Sequence, residues 1–96
     1  MRQTYIVSYD ISDPKRLRAV FLTLRGYGDH LQLSVFRCEL SKMELIELKA
    51  KLSGAIHHGE DQVVFIDIGP ADGRALTAIE SLGRPHTHPE RTAIVV

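Results

Sequence analysis

The fold is decided by the stretch Tyr5-Ile-Val-Ser-Tyr-Asp-Ile-Ser-Asp13, which begins as a strand and ends on two carboxylates. Nearly every position from residue 4 to residue 9 is β-branched, aromatic or apolar, which is typical of a central strand covered on both faces. Alternation along a strand puts its side chains on two opposite faces, one with Tyr5, Val7 and Tyr9 and the other with Ile6, Ser8 and Asp10.

Asp10 stands at the exit of this strand, where we expect its carboxylate to be partly desolvated. Such a position costs free energy unless a cation, a hydrogen-bond donor or a metal ion satisfies the charge. Two interpretations stay open from the residues alone: Asp10 belongs to a functional site, or it caps the next helix or pairs with an arginine. Asp13 is the better cap, because Pro14 follows it at the first helical position.

Composition sets the outer limits. A chain of 96 residues forms one domain with a single modest core, and 44% hydrophobic with 25% charged residues is typical of a soluble globular protein. No apolar run approaches membrane-spanning length, and no signal-peptide pattern opens the chain, so we expect no membrane partner. The single cysteine, Cys38, excludes an intrachain disulfide and is compatible with a cytoplasmic location.

The net charge is zero, but it is unevenly distributed. Residues 1–42 carry seven basic and four acidic groups, whereas residues 43–96 carry five basic and eight acidic groups. The N-terminal half is therefore the better candidate to face phosphate, although such a small asymmetry is also common on solvated surfaces.

Two helices are predicted. The first spans 14–25, with Gly26 as a left-handed residue at its end, and its spacing indicates a buried stripe of Leu17, Val20, Phe21 and Leu24. The second begins at the capping box Ser41-Lys-Met-Glu44 and ends between residues 53 and 58.

The remaining segments are strand-like. Residues 29–40 predict a strand region with a bend that the pattern does not place, and residues 62–68 predict a strand that Gly69-Pro70 ends. If the middle region is two strands, the order is β-α-β-β-α-β, an α+β ferredoxin-like layout. Residues 71–83 fit both helical and strand spacing.

Two helices cover only one face of such a sheet, so the other face needs cover of its own. A symmetric dimer supplies it and brings two copies of one carboxylate near the axis. A hard cation such as Mg²⁺ relieves the repulsion between two carboxylates, and it is suited to polarising a phosphate oxygen and activating water.

Several motifs together resemble the small CRISPR-associated nuclease family Cas2. They are Tyr9-Asp10-Ile11 with Asp13, Arg16 and Arg18 on the first helix, and Gln32-x-Ser34-Val35-Phe36. The resemblance covers about residue 4 to Gly83. It implies a ferredoxin-like homodimer, a metal-dependent endonuclease on RNA or double-stranded DNA, and a DNA-holding partner of the CRISPR integrase in spacer acquisition.

The resemblance also implies roles for residues. It makes Asp10 the Mg²⁺ ligand and places around the active region Tyr9, Arg16, Arg18, Ser34 and Phe36. It further implies that residues 1–83 form the ferredoxin-like domain, that 76–82 is a fifth strand, and that 84–96 is a tail packing on the partner protomer. His30 stands where relatives often have arginine, which weakens a phosphate contact there or makes it pH-dependent.

Two alternatives to a metal-dependent nuclease stay open. In the first, the dimer is a non-catalytic scaffold that binds the phosphate backbone of duplex DNA while an integrase performs the chemistry. In the second, it is a toxin-like ribonuclease of the VapD type, which shares the fold.

Overall fold

A computed structural model describes residues 1–84. Its elements, in order, are β1 (Gln3–Asp10), α1 (Pro14–Arg25), β2 (Gly28–Gln32), β3 (Val35–Leu40), α2 (Lys42–Ala55), β4 (Gln62–Pro70) and a 3₁₀ turn (Arg74–Thr77). The strands form one antiparallel sheet in the order β2-β3-β1-β4, with β1 in the interior of the sheet. The predicted ferredoxin-like β-α-β-β-α-β fold is confirmed.

Both helix starts follow from local chemistry. The Asp13 carboxylate accepts hydrogen bonds from the backbone N–H groups of Lys15 and Arg16, each at 3.0 Å, and Pro14 opens α1. Ser41 and Glu44 form the predicted capping box of α2. The prediction of a left-handed Gly26 is wrong: its φ is −77°, because ordinary bonds to the carbonyls of the last helical turn already close α1.

The bend predicted within residues 29–40 lies at Leu33-Ser34, between β2 and β3. Leu33 has φ +26°, in a region that residues with a side chain seldom adopt. The ring nitrogen Nε2 of His30 lies 2.7 Å from the Leu33 carbonyl oxygen and braces the turn. No Gly or Asn marks this turn, so the sequence pattern could not place it.

The core lies between the helices and one face of the sheet. It is formed by Val7 and Tyr9 of β1, Phe36, Cys38 and Leu40 of β3, Val20 and Leu24 of α1, and Leu48 and Leu52 of α2. Cross-strand pairing sets this face, because Val7 stands opposite both Phe36 and Phe65. Leu17 departs from the predicted buried stripe of α1, since 39% of it is exposed.

The other sheet face carries apolar side chains without a second layer. Ile6 pairs with Ile66 across β1 and β4, and Ser8 pairs with Val64. Ile66 is 48% exposed and Val64 39% exposed. The expectation that β1 is covered on both faces is therefore not met within one chain, since both helices pack on the same side.

The strand predicted over 76–82 is not present in the chain. Leu76 and Thr77 belong to the 3₁₀ turn, and residues 78–84 form no regular secondary structure. A strand is stable only when its backbone pairs with another strand, and the predicted partner of this segment belongs to a second chain. Exchange of the segment with a second chain stays a prediction, and most of the predicted 84–96 tail lies outside the described residues.

Candidate nucleic-acid site

Asp10 ends β1 and pairs across the sheet with Gln62, the first residue of β4. It is exposed, and its carboxylate takes part in none of the hydrogen bonds or ion pairs of residues 1–84. The predicted desolvation of Asp10 is therefore wrong for one chain, because nothing covers that end of the sheet. Its oxygens remain available to a cation from outside.

A cleft of about 400 Å³ opens between α1 and the β2–β3 turn. Its lining consists of Tyr9, Pro14, Leu17, Arg18, Phe21, Leu33 and Ser34. The backbone N–H of Tyr9 donates to the Ser34 carbonyl at 3.0 Å, which ties β1 to the turn. Three predicted site residues, Tyr9, Arg18 and Ser34, therefore meet in one cleft beside the end of β1.

Of the two aromatic site residues, Tyr9 lines the cleft and Phe36 lies beneath it. Phe36 is completely buried, and its ring centroid lies 6.2 Å from that of Tyr9 and 5.5 Å from that of Phe21. It supports the floor of the cleft and does not reach its mouth. Tyr9 is 6% exposed, and burial raises the pKa of its phenol, so the hydroxyl, which is protonated at neutral pH in any tyrosine, stays protonated to higher pH.

His30 makes local contacts within the fold. Its ring packs against Phe21 at 5.2 Å and Phe36 at 4.9 Å between centroids, and its Nε2 contacts the Leu33 carbonyl oxygen. The His30 side chain therefore stabilises the turn that contains Leu33 and Ser34, through local packing and this one polar contact.

Arg16 and Arg18, the two arginines of α1 that were predicted to lie at the site, have different surroundings. Arg18 is exposed and lines the cleft, and it makes no ion pair or hydrogen bond through its side chain within residues 1–84. Arg16 lies two residues earlier and so points to another side of the helix. Its Nε donates to Asp61 at 2.8 Å, and one terminal nitrogen contacts Glu60 at 3.2 Å. Hydrogen bonding to Asp61 raises the pKa of the Arg16 guanidinium.

Asp61 is the functional candidate that sequence reasoning missed. Its side chain is fully enclosed, with 0% exposed. Besides Arg16, it accepts hydrogen bonds from the backbone N–H of Ser12 at 3.0 Å, the Ser12 hydroxyl at 3.2 Å and the backbone N–H of His57 at 2.8 Å. The Arg16 guanidinium holds the pKa of this carboxyl well below its usual range.

The sequence carries little signal for this network. Asp61 stands in the polar stretch before β4, where an acidic residue is expected to face solvent. Its partners are 49 and 45 positions away at Ser12 and Arg16, so no local pattern joins them.

Asp10 is the residue whose fit to Mg²⁺ can be tested here. Within residues 1–84, no three His, Cys, Asp or Glu side chains converge on a position where they could hold a metal ion. Asp10 offers exposed, unengaged oxygen donors, which suit Mg²⁺, and this cation commonly takes one or two carboxylates and completes its shell with water and phosphate. The residue present therefore fits a shared magnesium site.

No helix in the described part of the chain combines the length and apolar character needed to cross a bilayer.

Solved structures share this architecture. A crystal structure of a hypothetical protein from Thermus thermophilus superposes with a TM-score of 0.75 and 30% identity, covering 88% of this chain and 95% of the other. The crystal structure of Streptococcus pyogenes Cas2 at pH 6.5 gives a TM-score of 0.72 and 29% identity, covering 83% of this chain and 99% of that protein.

Sequence comparison agrees with the fold. The chain is 45% identical over 92 residues to the CRISPR-associated endoribonuclease Cas2 1 of Rhodospirillum rubrum, covering 96% of this chain and 89% of the relative. It is 38% identical over 96 residues to the CRISPR-associated endoribonuclease Cas2 of Geobacter sulfurreducens, covering both chains completely. The family model for the CRISPR associated protein Cas2 matches residues 3–74. The chain therefore belongs to the Cas2 family of CRISPR-associated proteins.

Proposed function

We propose that this chain is a CRISPR-associated endonuclease of spacer acquisition that cleaves phosphodiester bonds in RNA or DNA as a homodimer. The observation that carries the proposal is the exposed, unengaged carboxylate of Asp10, the residue that follows Tyr9 in the chain, while Tyr9 and Arg18 line one cleft. The relatives from R. rubrum and G. sulfurreducens, which are named endoribonucleases, support the same activity.

The open sheet face supports the homodimer. Ile6, Val64 and Ile66 form an apolar strip on the side away from both helices, and Val64 and Ile66 are substantially exposed. A symmetric contact through this strip removes apolar surface from water and supplies the layer that the single chain lacks. It also sets two copies of β1 against each other.

Magnesium is the proposed cofactor, with Asp10 of each protomer as its protein ligand. When bound, Mg²⁺ supplies a polarised phosphate oxygen and an activated water for hydrolysis. Arg18, which is exposed at the cleft, neutralises the phosphate charge, and the protonated Tyr9 hydroxyl is a hydrogen-bond donor to a group at the cleft. The Ser34 backbone fixes the cleft wall through its contact with Tyr9.

Purified protein incubated with RNA and duplex DNA, with Mg²⁺ or with a chelator, tests the proposal. We expect cleavage that requires Mg²⁺ and is lost in Asp10→Ala. Asp67→Asn is the matched control, because Asp67 is also an exposed carboxylate of this sheet but contacts Gln3 near the opposite end of β1. Unchanged cleavage by the Asp10→Ala dimer contradicts the metal site.

The CRISPR integrase partner and a cytoplasmic location belong to the same proposal. The relatives are named CRISPR-associated endoribonucleases, which favours that activity over the scaffold and the VapD-like toxin. Spacer acquisition with the integrase, in cells that carry either wild-type chain or a surface variant that blocks dimerisation, tests the partnership. Acquisition that is independent of this chain contradicts it.

A further inference from the structure

Asp61 links three segments that are far apart in sequence. Its two carboxylate oxygens accept bonds from Ser12 after β1, Arg16 in α1 and His57 after α2. The side chain is fully enclosed, so its charge depends on these donors and not on water. Asp61 therefore fixes the relative positions of all three segments.

The hydrogen bonds of Asp61 constrain two segments next to the end of β1. Ser12 lies two residues after Asp10, and both its backbone N–H and its hydroxyl are held by Asp61. Gln62, the cross-strand partner of Asp10, directly follows Asp61. Because both the chain that leaves Asp10 and the strand beside it are anchored at one carboxylate, the position of Asp10 depends on Asp61.

The same carboxylate binds the Arg16 guanidinium through two nitrogens. Nε lies 2.8 Å from Oδ2 and the terminal nitrogen 3.3 Å from Oδ1, a two-pronged geometry that is among the strongest of side-chain contacts. The terminal nitrogen also contacts Glu60 and the Ser12 hydroxyl. Moving Arg16 to a phosphate leaves the enclosed Asp61 charge without its cation, which is strongly unfavourable.

We propose that Asp61 and Arg16 are positioning residues of the Asp10 site, and that Arg18, and not Arg16, contacts the nucleic-acid phosphate. The inference rests on the proposed function for its site, but it concerns how that site is built. Arg16 thereby changes from a predicted substrate contact to a structural cation that acts through the Ser12 loop.

Nucleic-acid binding at several salt concentrations separates the two arginines. Each phosphate contact contributes to the slope of log K against log salt, so Arg18→Gln lowers this slope by about one. Arg16→Gln, which removes the same charge from the same helix, leaves the slope unchanged. An equal fall in Arg16→Gln overturns the assignment of Arg16.

Amide hydrogen exchange tests the positioning role without any cleavage. In Asp61→Asn we expect exchange at the Ser12 amide to be about tenfold faster, since its acceptor loses charge, while exchange at buried Phe36 is unchanged. Ser12→Ala removes the hydroxyl contact with Asp61 and keeps the hydrogen bond of the Ser12 backbone N–H. It serves as the second variant if Asp61→Asn does not fold. Unaltered Ser12 exchange in folded Asp61→Asn overturns the role.

Kinetics complete the test. Asp61→Asn is expected to lower kcat about tenfold with KM little changed, because it misplaces Asp10 but not Arg18, whereas Arg18→Gln raises KM. The double variant Arg16→Gln with Asp61→Asn loses no more kcat than Asp61→Asn alone, because the two residues act as one unit. Additive losses overturn the inference. Should the wild type cleave nothing, the proposed function fails, while the salt slopes and amide exchange still decide the inference.

Discussion

The guanidinium of Arg16 and the carboxylate of Asp61 meet at 2.8 Å across 45 positions of sequence, joining the start of α1 to the start of β4. The Asp61 side chain is 0% exposed, whereas the pair between Arg2 and Glu44 at the other end of the molecule leaves 51% and 36% of its side chains exposed. These two contacts form a natural comparison between an enclosed and a solvated ion pair.

Asp61→Ala is expected to lower the melting temperature clearly more than Arg2→Ala. Removing Asp61 leaves the Nε of Arg16 and two backbone N–H groups without their acceptor, whereas solvated pairs contribute little. Thermal unfolding followed by circular dichroism measures the difference. Equal shifts in the two variants contradict the structural weight given to Asp61.

Acid is expected to destabilise the chain through Asp61. Its folded pKa is depressed, chiefly by hydrogen bonding to Arg16, so its contribution is complete above the unfolded carboxyl pKa of about 3.9 and is lost as pH falls further. Glu44, whose pKa is lowered first by the Ser41 backbone, acts in the same direction. Urea unfolding between neutral and strongly acidic pH should show a steeper loss in wild type than in Asp61→Asn. Parallel curves argue against this linkage.

Phe36→Ala should cost roughly 3–5 kcal/mol of unfolding free energy, as is typical when a buried aromatic side chain is deleted. Phe36 is completely buried and contacts the rings of Tyr9, Phe21 and His30. Urea denaturation measures the loss. Met43→Ala is the control, because Met43 is 73% exposed on α2. The free energy of unfolding of this variant should remain close to that of wild type.

Ile66→Asp is expected to turn the dimer into a monomer. The change places a charge in the middle of the apolar strip, opposite Ile6, where a partner protomer would have to desolvate it. Sedimentation equilibrium reports the mass, and Met43→Asp, on the helical side, serves as the control for adding the same charge. A wild-type monomer, or a dimer that survives Ile66→Asp, contradicts the proposed interface.

Local chemistry was sufficient to predict the element order. The Asp13-Pro14 start of α1 and the Ser41-Glu44 box of α2 are decided by neighbours within a few residues, and both are confirmed. The 76–82 strand is absent from the single chain, and its pattern also fitted a helix; it stays a prediction, because it depends on pairing with a second chain.

Contacts made across the fold were not predictable in the same way. The enclosure of Asp61 depends on Ser12 and Arg16, which arrive from the first quarter of the chain. The exposure of Asp10 depends on which sheet face both helices cover. Neither follows from the residues next to it in sequence. The enclosed Asp61 engages Arg16 and leaves Arg18 without an ion pair in the described part of the chain.

The strand order has a consequence for biosynthesis. β1 leaves the ribosome first, yet one of its two neighbours in the sheet is β4, which ends at Pro70. Asp61, which anchors the loop after Asp10, is also translated late. A nascent or truncated chain that lacks these residues can build helices and a hairpin, but it cannot hold Asp10 in place. On the proposed mechanism, activity that depends on Asp10 is therefore expected only after translation has passed β4.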